Sequence, residues 1–217
     1  MASEKTKQLF ADAFEKLAEQ RGIDAVFVSD VVELAGKNRK TFYYHFRDKT
    51  QLLRWTFRSD LAEELAASVD ARYLVYEEPG AEAFENLPYY ARVQVGVRSL
   101  DGSPALRALA RCLERRRGLY AQALRSRDEK SLSTYMRSLF ARVLRDDVRL
   151  ILSGRSLSAE SIGFLAEFYA GAMVEYLAVR TMGNPDEPIL AQIGPFSNII
   201  HASIVDEIRN QQQSRTL

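Results

Sequence analysis

The stretch Ala35-Gly36-Lys37-Asn38-Arg39 leaves room for one helix to end and the next to begin, and for nothing else. Upstream, Val31, Val32 and Ala35 recur with helical spacing. Gly36 suits the left-handed conformation that closes many helices, and Ser29 is the expected cap at the start of this second helix. Downstream, Asn38 is placed to accept a hydrogen bond from a free amide in the first turn of a third helix. Two helices joined through so short a Gly-containing turn form a helix-turn-helix. Phe42 and Phe46, four apart, face inward. Arg39, Lys40, Tyr43 and Tyr44 are then left outside, as direct contact with bases and phosphates requires.

Charge sharpens this reading. Arg39, Lys40 and Thr41 project from the end of the third helix that meets the major groove in a recognition helix. Cations there oppose the helix dipole, so the arrangement points to an anionic partner. Between Lys37 and Arg58 seven positive residues stand against Asp48 alone, a local balance of +6 in a chain whose total is +1. A near-neutral chain with one concentrated basic stretch has one defined contact face rather than a general affinity for polyanions. The candidate DNA-binding residues are Ser29, Lys37, Asn38, Arg39, Lys40, Thr41, Tyr43, Tyr44, His45 and Lys49. His45 reads as a structural hydrogen-bonder or backbone contact rather than a pH switch.

The rest of the chain reads as helix after helix, an all-α fold. Leu9, Phe10, Ala13, Phe14, Leu17 and Ala18 give a first helix its apolar stripe, ended by Arg21-Gly22. A fourth helix is expected over about 50–72, with Trp55 packing between the two regions. Glu77-Glu78-Pro79-Gly80 is the best boundary. Further helices are expected over about 88–100, 104–126, 131–152, 158–182 and 188–211, with no convincing run of strands. The expected organisation is a helix-turn-helix domain over 1–50 and a helical effector-binding and dimerisation domain over 51–217.

The helix over 158–182 carries Gly163, Ala166, Ala170 and Gly171 beside Leu165, Tyr169, Met173 and Leu177. The last helix adds Ile189, Ile193, Phe196, Ile200, Ile204 and Ile208. Two such helices from each of two chains close a four-helix bundle about a two-fold axis, so a homodimer through the last two helices is expected.

Other features read as structural. Arg107, Arg111, Arg115, Arg116 and Arg117 lack aromatic interleaving or a capped turn and read as a solvated face. Cys112, the sole cysteine, reads as an apolar filler, with redox sensing through Arg111 and Arg115 as the sharper alternative. Tyr89, Tyr90, Tyr120, Tyr135, Phe140 and Tyr169 read as core, the alternative being a ligand-cavity lining. Cys112, His45 and His201 make a poor zinc site, so neither metal nor cofactor is expected. The chain shows no apolar run near the ~20 residues of a membrane span and no signal-peptide core after Met1, giving a cytoplasmic expectation.

Over about residues 6–58 the chain resembles the tetracycline-repressor (TetR) family of bacterial transcription regulators. The resemblance rests on Val31-Val32-Glu33-Leu34-Ala35-Gly36, Asn38-Arg39-Lys40-Thr41-Phe42-Tyr43-Tyr44-His45-Phe46, Asp48-Lys49 and Leu52-Leu53. The phrasing around Asn38 and the Leu-Leu-Arg-Trp helix start look most like the dihydroxyacetone-kinase regulator-like subgroup. The resemblance implies phosphate contacts from Thr41, Tyr43 and Lys49, and base reading by Arg39, Lys40 and Tyr44. It also implies a dimer on a near-palindromic double-stranded DNA operator, modulated by a small-molecule effector or coregulator. Lys37 stands where the family usually has an apolar residue, and Phe27 where it has a hydroxyl cap. An enzyme lacks its parts: there is no phosphate-cradling Gly-rich loop, no nucleophile elbow and no paired histidines. The alternative is a helical interaction or coregulator protein of the same fold without independent DNA binding.

Overall fold

The computed structural model describes residues 2–78, 84, 86–96, 99–126, 128–152 and 157–189. Helix α1 (Ala2–Arg21) buries Phe10, Ala11, Phe14 and Ala18 completely. Its inward stripe is turned slightly from the expected one, leaving Leu9 45% exposed. A single 3-10 turn, η1 (Ile23–Ala25), leads to α2 (Val28–Leu34), which buries Val31 and Val32. Ser29 does not cap α2. The N-cap is Phe27, whose backbone N–H donates to the Asp30 carboxylate at 2.9 Å, while Arg21 pairs with the same group. An acid at the third helical position therefore satisfies the backbone N–H of the cap residue, the return half of a capping box.

Gly36 closes α2 at φ 62°, with its N–H on the Glu33 carbonyl at 3.1 Å and that of Lys37 on Val32 at 2.9 Å. These two bonds satisfy carbonyls that the helix end leaves open, and they need a residue tolerant of positive φ between them. Helix α3 (Arg39–His45) follows at once. Its inward Phe42, together with Phe46, packs edge-on against Phe10 of α1 with ring centroids 5.3 and 6.3 Å apart.

Asp48 caps α4 (Lys49–Ser68) by accepting from the Gln51 N–H at 2.8 Å. This central helix buries residues on nearly every side, among them Leu52, Trp55, Phe57, Arg58, Asp60 and Leu65. Trp55 is 2% exposed, with its ring 5.8 Å from that of Phe46 and the Lys7 ammonium 5.6 Å from its centroid. The helix stops at Ser68, short of the expected 72. The chain then forms a 3-10 turn, η2 (Ala71–Tyr73), and a strand, β1 (Leu74–Val75).

Strand β1 pairs antiparallel with β2 (Tyr90–Ala91), and β3 (Val93–Gly96) pairs antiparallel with β4 (Ser99–Asp101). The reading without strands, and the helix over 88–100, are therefore corrected. Val93-Gln94-Val95 alternates with period two and is rich in β-branched residues, which suits a strand. Within the segment read as a boundary, Pro79 and Gly80 lie outside the described residues, and Glu77 is buried. Its side chain is 5% exposed and pairs with Arg58 and, at 2.7 Å, with Arg142.

The expected helix over 104–126 is two: α5 (Ser103–Arg115) and α6 (Arg117–Ala123), broken at Arg116, whose φ and ψ are −126° and 49°. Helices α7 (Leu132–Leu152) and α8 (Ala159–Met182) pack along each other, and Ser158 caps α8 by accepting from Ser161 at 3.0 Å. Pro188 and Ile189 are not helical, and Ile189 is buried with its N–H on Glu114 at 2.8 Å. The remainder of the expected last helix, with Ile193, Phe196, Ile200, Ile204 and Ile208, lies outside the described residues.

One core runs from Phe10 and Phe42 through Trp55, Phe57, Leu113 and Tyr120 to Val174 and Leu177. Tyr89, Tyr120, Phe140 and Tyr169 lie buried, as the core reading of these aromatics has it. Cys112 is fully buried, and burial pushes its thiol well above its ordinary range, opposite to what its arginine neighbours alone would do. The arginine cluster is corrected from a solvated face: Arg111 pairs with Glu64 at 2.9 Å, Arg115 with Glu63 and Arg116 with Asp60 at 3.0 Å.

Candidate nucleic-acid interface

The local chain order builds one exposed face on α3. Asn38 Oδ1 accepts from both the backbone N–H of Thr41, at 2.8 Å, and its hydroxyl, at 3.0 Å. That pair fixes the first turn and leaves the Thr41 side chain half-buried beside the cap. Phe42 and Phe46 are 0% and 1% exposed and anchor the opposite side, whereas Tyr43 and Tyr44 stand 58% and 82% exposed. A Tyr ring so exposed gives up apolar burial for a free hydroxyl and ring face, which is useful only against a partner. Lys37, Arg39 and Lys40 are exposed, and among the described residues none has a carboxylate partner. Three cations without anions, at the end of a helix whose dipole repels them, form an anion-seeking surface.

His45 closes α3 half-buried, with its ring 4.9 Å from that of Tyr44. Burial, and then the neighbouring Lys7, push its pKa below the ordinary imidazole range. Ser29 lies inside the first turn of α2, half-buried and away from any capping task.

Lys49 departs from expectation. Its ammonium donates to the carbonyls of Ile23 and Val26 at 2.9 and 3.0 Å, and burial lowers its pKa. Two of its three donors are thus spent holding the α1–α2 connection against the start of α4. Lys49→Met is expected to lower unfolding stability by about 1–2 kcal/mol, the scale of charge-assisted hydrogen bonds in a half-exposed place. DNA affinity should fall with it while the slope of log affinity against log salt stays put. Urea unfolding and mobility shifts at several salt concentrations measure both. A slope shallower by about one unit returns the ammonium to a phosphate.

Two contributors escaped the sequence reading. Asp30 was legible, since an acid three residues after the cap is the capping-box spacing. Gln51 accepts from Arg47 N–H at 2.6 Å while its own N–H binds Asp48, locking the α3–α4 turn. The Asp-x-x-Gln spacing at 48–51 carried that signal.

Residues 11–54 match the family model described as bacterial regulatory proteins, tetR family. Over 58 residues the chain is 36% identical to the HTH-type dhaKLM operon transcriptional activator DhaS of Lactococcus lactis subsp. lactis (strain IL1403). That stretch is 27% of this chain and spans 31% of the relative's length. Among solved structures, the dihydroxyacetone kinase operon activator DhaS superposes with a TM-score of 0.54 over 92% of this chain and 96% of its own, at 18% identity, a likeness of fold. With the paired helices, the capped third helix and its basic outward face in place, residues 11–54 form a helix-turn-helix segment similar to that of the tetR family of bacterial regulatory proteins.

Proposed function

We propose that the chain reads a near-palindromic operator as a homodimer, with residues 1–50 as the reading module and 51–217 as the effector-binding and dimerisation body. The observation that carries DNA reading is the outward face of α3, where Lys37, Arg39, Lys40, Tyr43 and Tyr44 stand exposed over a phenylalanine anchor. In this reading Arg39, Lys40 and Tyr44 meet base edges, and Thr41 and Tyr43 meet phosphates.

Dimerisation is supported by α8. Phe164, Phe168 and Val179 are 66%, 58% and 56% exposed on one helical stripe, and a Cβ added at Gly163 or Gly171 would meet nothing within 4 Å. The helix is long and apolar enough on composition to cross a membrane, yet half of its apolar window is buried in the protein, and Glu160, Glu167 and Glu175 interrupt it. An apolar stripe of this kind on a helix already seated in the core calls for a protein partner, and a second copy offers the same stripe about a two-fold axis. Recognition helices of such a dimer fall about 34 Å apart on successive major-groove faces.

Modulation from the body is supported by a cleft of about 670 Å³ lined from both parts of the chain, by Ile23, Asp24 and Lys49 on one side and Gln122, Arg125 and Leu132 on the other. A small molecule seated there touches the reading module and the body at once. The likeness to DhaS favours an activator of an operon as the biological setting.

Arg39→Ala tests the base-reading role. In a selection from random duplexes it is expected to relax preference at one position in each half-site, costing about 1–3 kcal/mol on the original operator. Binding to random DNA should change little by comparison. A selected motif identical to that of the unaltered chain at full strength refutes the assignment.

A further inference from the structure

Two adjacent arginines at the α5–α6 break reach in different directions. Arg116, 8% exposed, spends its whole guanidinium on carboxylates from two other helices: Nε on Asp60 of α4 at 3.0 Å, one terminal nitrogen on Asp12 of α1 at 2.9 Å, and the other on Glu15 of α1. Tyr120, one turn along α6, donates to the same Asp60 carboxylate at 2.5 Å. Arg117 faces the end of α8 and binds five carbonyls: Thr181 at 3.1 Å, Arg180 at 2.7 Å, Asn184 at 2.8 Å, Pro185 at 2.9 Å and Glu187 at 2.8 Å. Helix C-termini leave such carbonyls without intrahelical partners, and a cation there is also attracted by the negative end of the dipole. A second link lies farther along α6, where Gln122 donates to the Ala18 carbonyl at 3.1 Å and accepts from Ile23 N–H at 2.8 Å.

These contacts are more than local packing. Asp12 and Glu15 lie on α1 away from the Phe10 and Phe14 stripe that holds α2 and α3, so the reading module does not need them to close its own core. Their ion pairs run to the body. Since consecutive Cα atoms are about 3.8 Å apart, the end of α8 and the side of α1 are joined through a single peptide bond and one short helix.

We infer that Arg116, Arg117 and Gln122 are positioning residues for operator recognition: they fix the reading module to the α8 end of the body, and so set the half-site spacing that the dimer accepts. The inference rests on the dimer proposed above. It places spacing selectivity in α6, outside every residue that touches DNA or the second copy.

The test uses the full chain, a duplex with one half-site, and a ladder of duplexes whose two half-sites are moved apart or together in steps of roughly one base pair around the preferred turn. Asp12→Asn with Glu15→Gln removes the α1 partners of Arg116 at nearly constant shape. Gln122→Met, made separately, cuts the second link without changing charge. Each variant is expected to remain dimeric in sedimentation and to bind the single half-site as the unaltered chain does. Its discrimination between the preferred spacing and its neighbours should fall about tenfold, as expected when the geometry linking two sites loosens. A purely structural role would lower both affinities together and leave the ladder's shape intact. Variants that fold, dimerise and keep sharp spacing overturn the inference alone. An unaltered chain that sediments as a monomer and shows no spacing preference overturns the dimer and the inference with it.

Discussion

Glu77→Ala is expected to lower unfolding stability by about 3–5 kcal/mol, because it strands a fully buried guanidinium. Arg58 is 0% exposed and sits between the rings of Phe84 and Tyr89, at 5.6 and 5.2 Å from their centroids. It donates to Glu77, to the Leu87 carbonyl at 2.6 Å and to the Tyr135 hydroxyl at 3.2 Å. Only Glu77 supplies the opposing charge among these partners. Removing the charge on both sides, with Arg58→Met beside Glu77→Ala, should recover much of the loss, since a buried pair often contributes little over an apolar replacement. Arg142→Ala removes the other, half-exposed partner and should cost under about 1 kcal/mol. Urea midpoints at constant slope measure all four chains. If Glu77→Ala falls no further than Arg142→Ala, the Arg58 charge is being met by something else.

The second large effect belongs to α8. Phe164 and Phe168 stack with centroids 6.0 Å apart and planes 20° from parallel, out on the exposed stripe. Phe168→Asp, alone or with Phe164→Asp, places charges on each side of a two-fold contact where neither finds a partner. The expected result is a folded monomer in sedimentation whose operator affinity is lower by a factor of about 10²–10⁴, the usual gain from linking two weak sites. Affinity for a duplex holding one half-site should barely change. A dimer of unaltered affinity carrying Asp at 168 removes α8 from the interface.

What was legible in the sequence was what neighbours decide. The turn between α2 and α3 is settled within a few residues: Gly36 takes the positive φ, Asn38 takes the Thr41 amide, and Phe42 and Phe46 find the same face because they are four apart. The outward cations followed from that. Distance in sequence hid the rest. Arg116 looked solvated because its carboxylates stand 56, 101 and 104 residues away, and no local pattern announces such a pairing. Lys49 looked free for the same reason, its two carbonyls lying 23 and 26 residues upstream. Glu77 looked like a linker beside Pro79 and Gly80 because turn residues mark where a chain bends, not whether a side chain next to the bend is buried. The strands were missed for their brevity: β1 and β2 have 2 residues each, too few for alternation to show.

The placement of Trp55 gives the unmodified chain an optical property. It is the single tryptophan, sealed where the last aromatic of the DNA-reading segment meets the first turns of α4, with one ammonium above its ring. All indole emission therefore originates at the seam between the reading module and the body. Its colour registers the dryness of that seam. The protein carries its own fluorophore at a joint between α3 and α4, and no dye need be attached to watch it.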